Sequence, residues 1–150
     1  MQLNFERKLV DPNVNLLVVD DDQISVMAIK RALKKLGIVN PVVVAVDGQE
    51  ALDILRGSSA HSAIDRPYLV TLDINMPRMN GHEFLAEVRK DPSLKNAIIF
   101  VLTTSDAPED IAQAYSQNVA GYIVKDDLQD SFVNALRLLD AYSETVALPH

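Results

Sequence analysis

The chain has 150 residues, contains no cysteine and carries a formal net charge of −7, from 14 basic and 21 acidic side chains. This length fits one domain with its own hydrophobic core. The absence of cysteine excludes disulfides, thiol nucleophiles and thiolate metal sites. The acidic balance argues against a general nucleic-acid surface, because such a surface needs clustered basic side chains.

The sequence also lacks the signals of a membrane or secreted protein. No apolar run reaches the roughly 18 residues that a membrane span needs. The N-terminal stretch MQLNFERKLV has charges where a signal peptide would be apolar. We therefore expect one cytoplasmic domain over residues 1–150, with a core at about 14–142, a short N-terminal arm and a C-terminal tail.

Five short apolar runs alternate with amphipathic segments along the chain. The runs predict β-strands at 16–19, 42–46, 68–72, 97–102 and 121–124. Because they are apolar on both faces, they are typical of a parallel sheet. The other segments have helical periodicity and lie at 23–37, 48–57, 81–90, 108–117 and 128–142. Five βα units predict an α/β fold with a doubly wound, five-stranded parallel sheet.

Polar side chains follow four of these strands, at the point where each strand ends. Asp20 and Asp21 follow the first strand, Asp73 the third, Thr104 the fourth and Lys125 the fifth. Each residue alone has an ordinary structural explanation, such as helix capping or exposure to solvent. The carboxyl ends of parallel strands lie on one edge of the sheet, so we expect these five side chains to converge.

The converging set has the chemistry of phosphoryl transfer. Mg²⁺ prefers oxygen ligands and usually takes one or two carboxylates while keeping several waters. A carboxylate such as Asp73 can act as a nucleophile toward phosphorus, with Thr104 and Lys125 contacting the phosphoryl oxygens. There is no glycine-rich phosphate loop, so nucleotide binding has no support. The three histidines are scattered and predicted to lie on the surface: His61, His82 and His150.

Four motifs, LVVDDD, LDINMPRMNGHEFL, LTTSD and GYIVK, occur in this order. Over residues 14–142 the chain resembles the receiver domain of two-component response regulators. The resemblance implies that Asp73 is the phosphoacceptor and that Asp20 and Asp21 are the acidic pair that holds Mg²⁺. It also implies that the backbone carbonyl of Asn75 completes the metal site.

The same resemblance implies the remaining roles and the topology. Thr104 and Lys125 match the hydroxyl and the lysine that bind the phosphoryl group, and Tyr122 matches the aromatic residue that changes rotamer on activation. The family has the flavodoxin-like strand order 2-1-3-4-5. Its members accept phosphate from a sensor histidine kinase, pass the signal to a downstream protein or phosphotransfer partner, and catalyse only their own phosphorylation and dephosphorylation.

Finer features are similar to single-domain receivers partnered with bacterial phytochrome kinases. They are the stretches NGHEFLAEVRKDPSLKN and LTTSDAPEDIAQAY and the long insert at 56–67. This similarity implies a bacterial phytochrome as the kinase partner.

The chain departs from the family pattern after the fifth strand. Where the family usually has Lys-Pro with a cis peptide, this chain has Lys125-Asp126. A cis bond before a non-proline residue is costly, so the loop could differ here and Lys125 could sit differently. Asp126 and Asp127 are more simply explained as caps of the last helix. Residues 106–109, Asp-Ala-Pro-Glu, are typical of a capping box with proline in the first turn.

The two ends of the sequence bear on output. Only eight residues, SETVALPH, follow Tyr142, which predicts that the effector is a separate molecule. A homodimer could form through the last helix and the apolar residues of the N-terminal arm, although core packing explains these residues equally well. The arm residues are Leu3, Phe5, Leu9 and Val10.

Two other functions remain open at this point. A phosphatase of the haloacid-dehalogenase type also uses an aspartate nucleophile, a threonine and a lysine, but it would want a second aspartate at position 75. Asn75 speaks against it. A degenerate receiver would act as an interaction module that never takes phosphate. The complete set of acidic, hydroxyl and lysine residues speaks against that alternative.

Overall fold

The structure, a computed structural model, describes residues 14–58, 63–125 and Arg137. Within these residues, strands and helices alternate along the chain. In chain order the elements are β1 (Asn15–Val19), α1 (Gln23–Lys35), β2 (Val42–Ala45), α2 (Gly48–Arg56), β3 (Tyr68–Leu72), α3 (Gly81–Lys90), β4 (Ile98–Thr103), α4 (Pro108–Ser116) and β5 (Gly121–Val124).

The five described strands form one parallel sheet in the order β2-β1-β3-β4-β5. β1 lies between β2 and β3, with Leu17 opposite both Val43 and Val70. β4 lies between β3 and β5. The predicted fold class and strand order are confirmed. The order places the ends of β1 and β3 side by side at the centre of the sheet.

Each face of the sheet carries its own hydrophobic core. Along β1, Leu17 and Val19 belong to the cluster that includes residues of α2 and α3, whereas Leu16 and Val18 belong to the cluster that includes residues of α1. Successive side chains of a strand point to opposite faces, so a strand covered on both sides is apolar at most of its positions. This burial explains why the strand sequences are mostly apolar.

The beginnings of the helices show which local predictions hold. Asp22 caps α1, with its side chain accepting a hydrogen bond from the Ile24 backbone amide. The capping box predicted at Asp106 is wrong. The N-cap of α4 is Ala107, which makes no side-chain cap bond, with Pro108 in the first helical position. The box fails because the helix begins one residue later than that motif requires.

Several predictions fall outside the described residues. They concern the N-terminal arm, the capping roles of Asp126 and Asp127 and the homodimer; of the last predicted helix only Arg137, which is helical, is described. Among the described helices, none has the length and apolar character that crossing a membrane requires.

Candidate functional site

Three aspartates meet at the carboxyl ends of β1 and β3. Asp20 and Asp21 follow β1, and Asp73 follows β3, which pairs directly with β1. One carboxylate oxygen from each residue lies within 4.8 Å of the other two. The structure thus brings together the three acids that the sequence placed at these strand ends.

Asp20 is the buried member of this acidic cluster, with only 3% of its surface exposed. One carboxylate oxygen accepts a hydrogen bond from the Asp22 amide at 2.9 Å, and the other contacts the Lys125 ammonium at 2.9 Å. Burial raises the pKa of Asp20, and the charge of Asp73 adds to this effect, although Lys125 opposes it. The cost of burying this carboxylate therefore outweighs the stabilisation that Lys125 gives to its ionised form.

Lys125 reaches this cluster from the end of β5. Its side chain is buried, and its Nζ lies 2.9 Å from Asp20 and 3.5 Å from the Ser25 hydroxyl. Its backbone amide donates to the carbonyl of Thr103 at 2.8 Å, which continues the β4–β5 pairing by one residue. The ammonium thus lies at the acidic cluster even though aspartate follows it in the sequence.

The hydroxyl beside Asp73 belongs to Thr103, and the prediction that Thr104 supplies it is wrong. Thr103 is the last residue of β4 and is fully buried, and its Oγ1 donates to Asp73 Oδ1 at 2.6 Å. Thr104 is exposed to solvent. Adjacent strand residues face opposite sides, and the side chains of Ile99 and Val101 lie in the same core cluster as α3 residues. Thr103 follows Val101 by two residues, so its side chain points to the same face of the sheet as those of Ile99 and Val101. This spacing could have identified Thr103, not Thr104, as the site residue.

The loop between β3 and α3 carries Asn75 two residues after Asp73. The backbone amide of Asn75 donates to Asp73 Oδ1 over a long distance of 3.4 Å, and the Asn75 side chain is exposed. Gly81, at the start of α3, closes this loop against the strand end. A Cβ there would lie 2.6 Å from the carbonyl oxygen of Asp73, so only glycine allows this approach.

A second polar network connects β5 to α3 through the loop after β4. The Tyr122 hydroxyl donates to the Ser105 carbonyl at 2.8 Å, and the Ser105 hydroxyl donates to Asp110 at 2.5 Å. The other oxygen of Asp110 lies 2.8 Å from Nε2 of His82. Burial raises the pKa of the Tyr122 phenol, while the hydrogen bonds from Ser105 and His82 lower the pKa of Asp110.

Sequence reasoning missed the inner members of this network. His82 was predicted to be a surface residue, but its side chain is only 11% exposed and pairs with Asp110. His82 is partly covered because the first turn of α3 lies beside α4, which carries Asp110. His82 and Asp110 are 28 residues apart, so no local pattern connects them.

Comparison with known proteins identifies the family. Residues 16–137 of the chain match the family model of the response regulator receiver domain. The chain belongs to this family. Response regulator Rcp1 of Synechocystis sp. is 31% identical over 140 residues, which are 93% of this chain and 95% of that protein. The probable methanogenesis regulatory protein FilR2 of Methanothrix harundinacea is 36% identical over 117 residues, 77% of this chain and 73% of that protein.

Solved structures agree with this assignment. The Mn²⁺-bound form of response regulator Rcp1 superposes with a TM-score of 0.80 at 31% identity, covering 91% of this chain and 99% of that one. The phosphorylated cyanobacterial phytochrome response regulator RcpA gives a TM-score of 0.78 at 31% identity, covering 91% and 98%. The receiver predicted from four motifs is confirmed, as is the similarity to phytochrome-associated response regulators.

Proposed function

We propose that this receiver is a cytoplasmic response regulator that accepts a phosphoryl group on Asp73 from a sensor histidine kinase, in a reaction that requires Mg²⁺. The observation that carries the proposal is the acidic cluster with two phosphoryl-binding groups around it. Asp73 lies beside two further carboxylates, receives a hydrogen bond from Thr103, and shares the site with the Lys125 ammonium. Phosphorylation would alter a surface read by a downstream protein or phosphotransfer partner.

The residues of the acidic cluster fit Mg²⁺. Every donor is an oxygen: the carboxylates of Asp20, Asp21 and Asp73, with the backbone carbonyl of Asn75 proposed as the fourth. Burial raises the pKa of Asp20 even with the Lys125 ammonium 2.9 Å away, so further positive charge would stabilise the ionised form of this carboxylate. When bound, the ion would supply that charge and neutralise phosphoryl oxygens during transfer.

The transfer itself would be an in-line displacement at phosphorus. A carboxylate oxygen of Asp73 forms the new P–O bond while the bond from phosphorus to the imidazole nitrogen of the kinase breaks, and that nitrogen keeps the electron pair. Among the described residues, the hydrogen bonds to the Asp73 carboxylate reach Oδ1, which leaves Oδ2 for the attack. Thr103 and Lys125 would then donate to the equatorial oxygens.

The experiment that tests this proposal uses acetyl phosphate as the donor. The protein is incubated with the donor and Mg²⁺, and the intact mass is measured with and without EDTA. We expect one phosphoryl increment that needs the metal ion, is removed by hydroxylamine and is absent from Asp73→Asn. Label retained on another residue of that variant would refute the assignment. Unlabelled wild type would instead favour the degenerate receiver, and multiple turnovers with an unrelated phosphomonoester would favour the phosphatase.

We further propose a bacterial phytochrome as the cognate kinase. The support is the similarity to RcpA, which is a cyanobacterial phytochrome response regulator. Phosphoryl transfer from an autophosphorylated phytochrome kinase should be faster than transfer from an unrelated histidine kinase at equal concentration. Equal rates would argue against a phytochrome partner while leaving the phosphoacceptor role intact.

A further inference from the structure

A buried carboxylate outside the acidic cluster holds the loop that carries Asn75. Asp47 follows β2 and is only 2% exposed. Its Oδ1 caps α2 by accepting from the Glu50 amide at 2.8 Å. Its Oδ2 accepts from Nε of Arg78 at 2.7 Å and also contacts the Nη2 atom of the same side chain. One carboxylate thus joins the β2–α2 turn to the β3–α3 loop.

Arg78 holds a backbone conformation that its residue type disfavours. Its φ is 61°, in the left-handed region where side chains other than glycine and asparagine are uncommon. The guanidinium is largely exposed at the surface, yet its Nε and Nη2 atoms both contact the buried carboxylate of Asp47. Arg78 thus makes this contact from a backbone conformation in the left-handed region.

The backbones of the two turns also touch. The Gly48 amide donates to the carbonyl of Met79 at 3.0 Å, and a Cβ on Gly48 would lie 2.8 Å from that same oxygen. The other end of the loop is closed by Gly81 against Asp73. Asn75 lies in the loop between these two contacts, and its backbone amide contacts the Asp73 carboxylate.

We infer that Asp47 and Arg78 are positioning residues for the metal ion, because they fix the β3–α3 loop that carries Asn75, whose backbone carbonyl is the proposed fourth ligand. This inference rests on the proposed function. The pair touches neither metal nor phosphate and acts through the loop backbone. Outer residues that orient metal ligands commonly contribute about 10- to 100-fold to metal affinity or activity. A backbone route through several residues places this pair at the low end, about tenfold.

The test measures Mg²⁺ affinity by calorimetry and the Mg²⁺ dependence of phosphorylation by acetyl phosphate. Arg78→Ala should weaken Mg²⁺ binding about tenfold, raising the Mg²⁺ concentration for half-maximal rate while leaving the rate at saturating Mg²⁺ near that of wild type. Asp47→Asn keeps an oxygen to cap α2 but removes the charge, and it should have a similar effect. Arg78→Lys, which restores one cationic donor, should recover most of the affinity.

Two controls separate positioning from general stability. Arg56→Ala breaks another arginine–aspartate pair, to Asp91 at 3.0 Å, whose residues are not part of the acidic cluster. It should leave Mg²⁺ affinity unchanged. Arg78→Gly removes the side chain but relieves the left-handed backbone, and it should bind Mg²⁺ as weakly as Arg78→Ala even if it melts higher.

The double variant Asp47→Asn/Arg78→Ala should be no weaker in Mg²⁺ binding than the worse single variant, because both remove the same contact. The inference is overturned if Arg78→Ala and Asp47→Asn bind Mg²⁺ like wild type, or if they only lower the melting temperature. A wild-type protein that binds no Mg²⁺ would instead refute the metal-dependent function itself.

Discussion

Replacing each of the two neighbouring threonines with valine gives a direct test of the corrected site. Valine keeps the branched shape of threonine but removes its hydroxyl, so Thr103→Val retains most of the packing at a fully buried position. The Oγ1 that donates to Asp73 at 2.6 Å is lost. Thr104→Val makes the same chemical change one residue later, on an exposed side chain.

The expected magnitude follows from the type of hydrogen bond that is removed. A hydrogen bond to a charged acceptor contributes about 1.5–3 kcal/mol, which corresponds to about a 10- to 150-fold change in rate. In the structure the Thr103 hydroxyl already donates to Asp73 before transfer, and only the part that strengthens in the transition state accelerates the reaction. We therefore expect Thr103→Val to slow phosphorylation about tenfold.

The assay is a time course of the phosphorylated fraction by intact mass, with acetyl phosphate at saturating Mg²⁺. Thr104→Val should match wild type, because its side chain is on the solvent side of the loop. The reasoning is refuted if Thr104→Val slows the reaction as much as Thr103→Val, or if Thr103→Val has no effect while remaining folded.

Three further predictions concern stability and output. Asp21→Asn relieves repulsion within the acidic cluster, so in EDTA it should melt about 2–4 °C above wild type and lose most of the Mg²⁺ stabilisation. Because Ser105 and His82 lower the pKa of Asp110, its contribution to the free energy of unfolding should be lost as the pH falls below its ordinary pKa of 3.8, and urea titrations of Asp110→Asn should lack this loss. Tyr122→Phe should accept phosphate normally but bind partners without a phosphate-dependent change, as titrations would show.

Each of these predictions has an outcome that contradicts it. If millimolar Mg²⁺ does not change the melting temperature of the wild-type protein, this would count against a metal site. Acid dependence that is identical in Asp110→Asn and wild type would mean that the Ser105 and His82 contacts do not lower the pKa of Asp110 in the folded protein. A phosphorylated Tyr122→Phe protein that responds as fully as wild type would exclude the Tyr122 hydroxyl from signal output.

The strands could be predicted where hydrophobic pattern and hydrogen-bonded ladder coincide. β3 and β5 begin and end where the apolar runs do. β1 and β4 each include a polar residue that pattern alone excludes. The backbone amide of Asn15 donates to the Pro67 carbonyl at 3.0 Å, and Thr103 pairs with Val124. Backbone pairing decides these ends, and it depends on neighbouring strands that are distant in sequence.

The same distinction applies to the site. The carboxylates were predictable because each follows an apolar run, and strand order alone brings them together. Choosing between two adjacent threonines required the residue at which β4 ends. The Arg78–Asp47 pair joins residues 31 apart, in two turns that touch only once the sheet has formed. No local spacing encodes such a contact.

The contacts of Thr103 suggest how phosphate at Asp73 could reach the surface. Its Oγ1 donates to Asp73 and also lies 3.4 Å from the Ser105 amide as an acceptor. The Ser105 carbonyl in turn accepts from Tyr122. A phosphoryl oxygen would offer Thr103 a new acceptor, so we expect its hydroxyl to turn and the long Ser105 contact to change.

The Ser105 side chain is also held, because its hydroxyl donates to Asp110, which is itself paired with His82. A phosphoryl group can shift such a loop only by the difference between its interactions in the two arrangements. A single hydrogen bond contributes about 1 kcal/mol net. One changed contact therefore biases the populations of the two arrangements by only several-fold. A larger response requires the Thr103, Ser105 and Tyr122 contacts to change together. We expect the hydrogen bonds through this loop to provide that coupling, because Ser105 contacts both Thr103 and Tyr122.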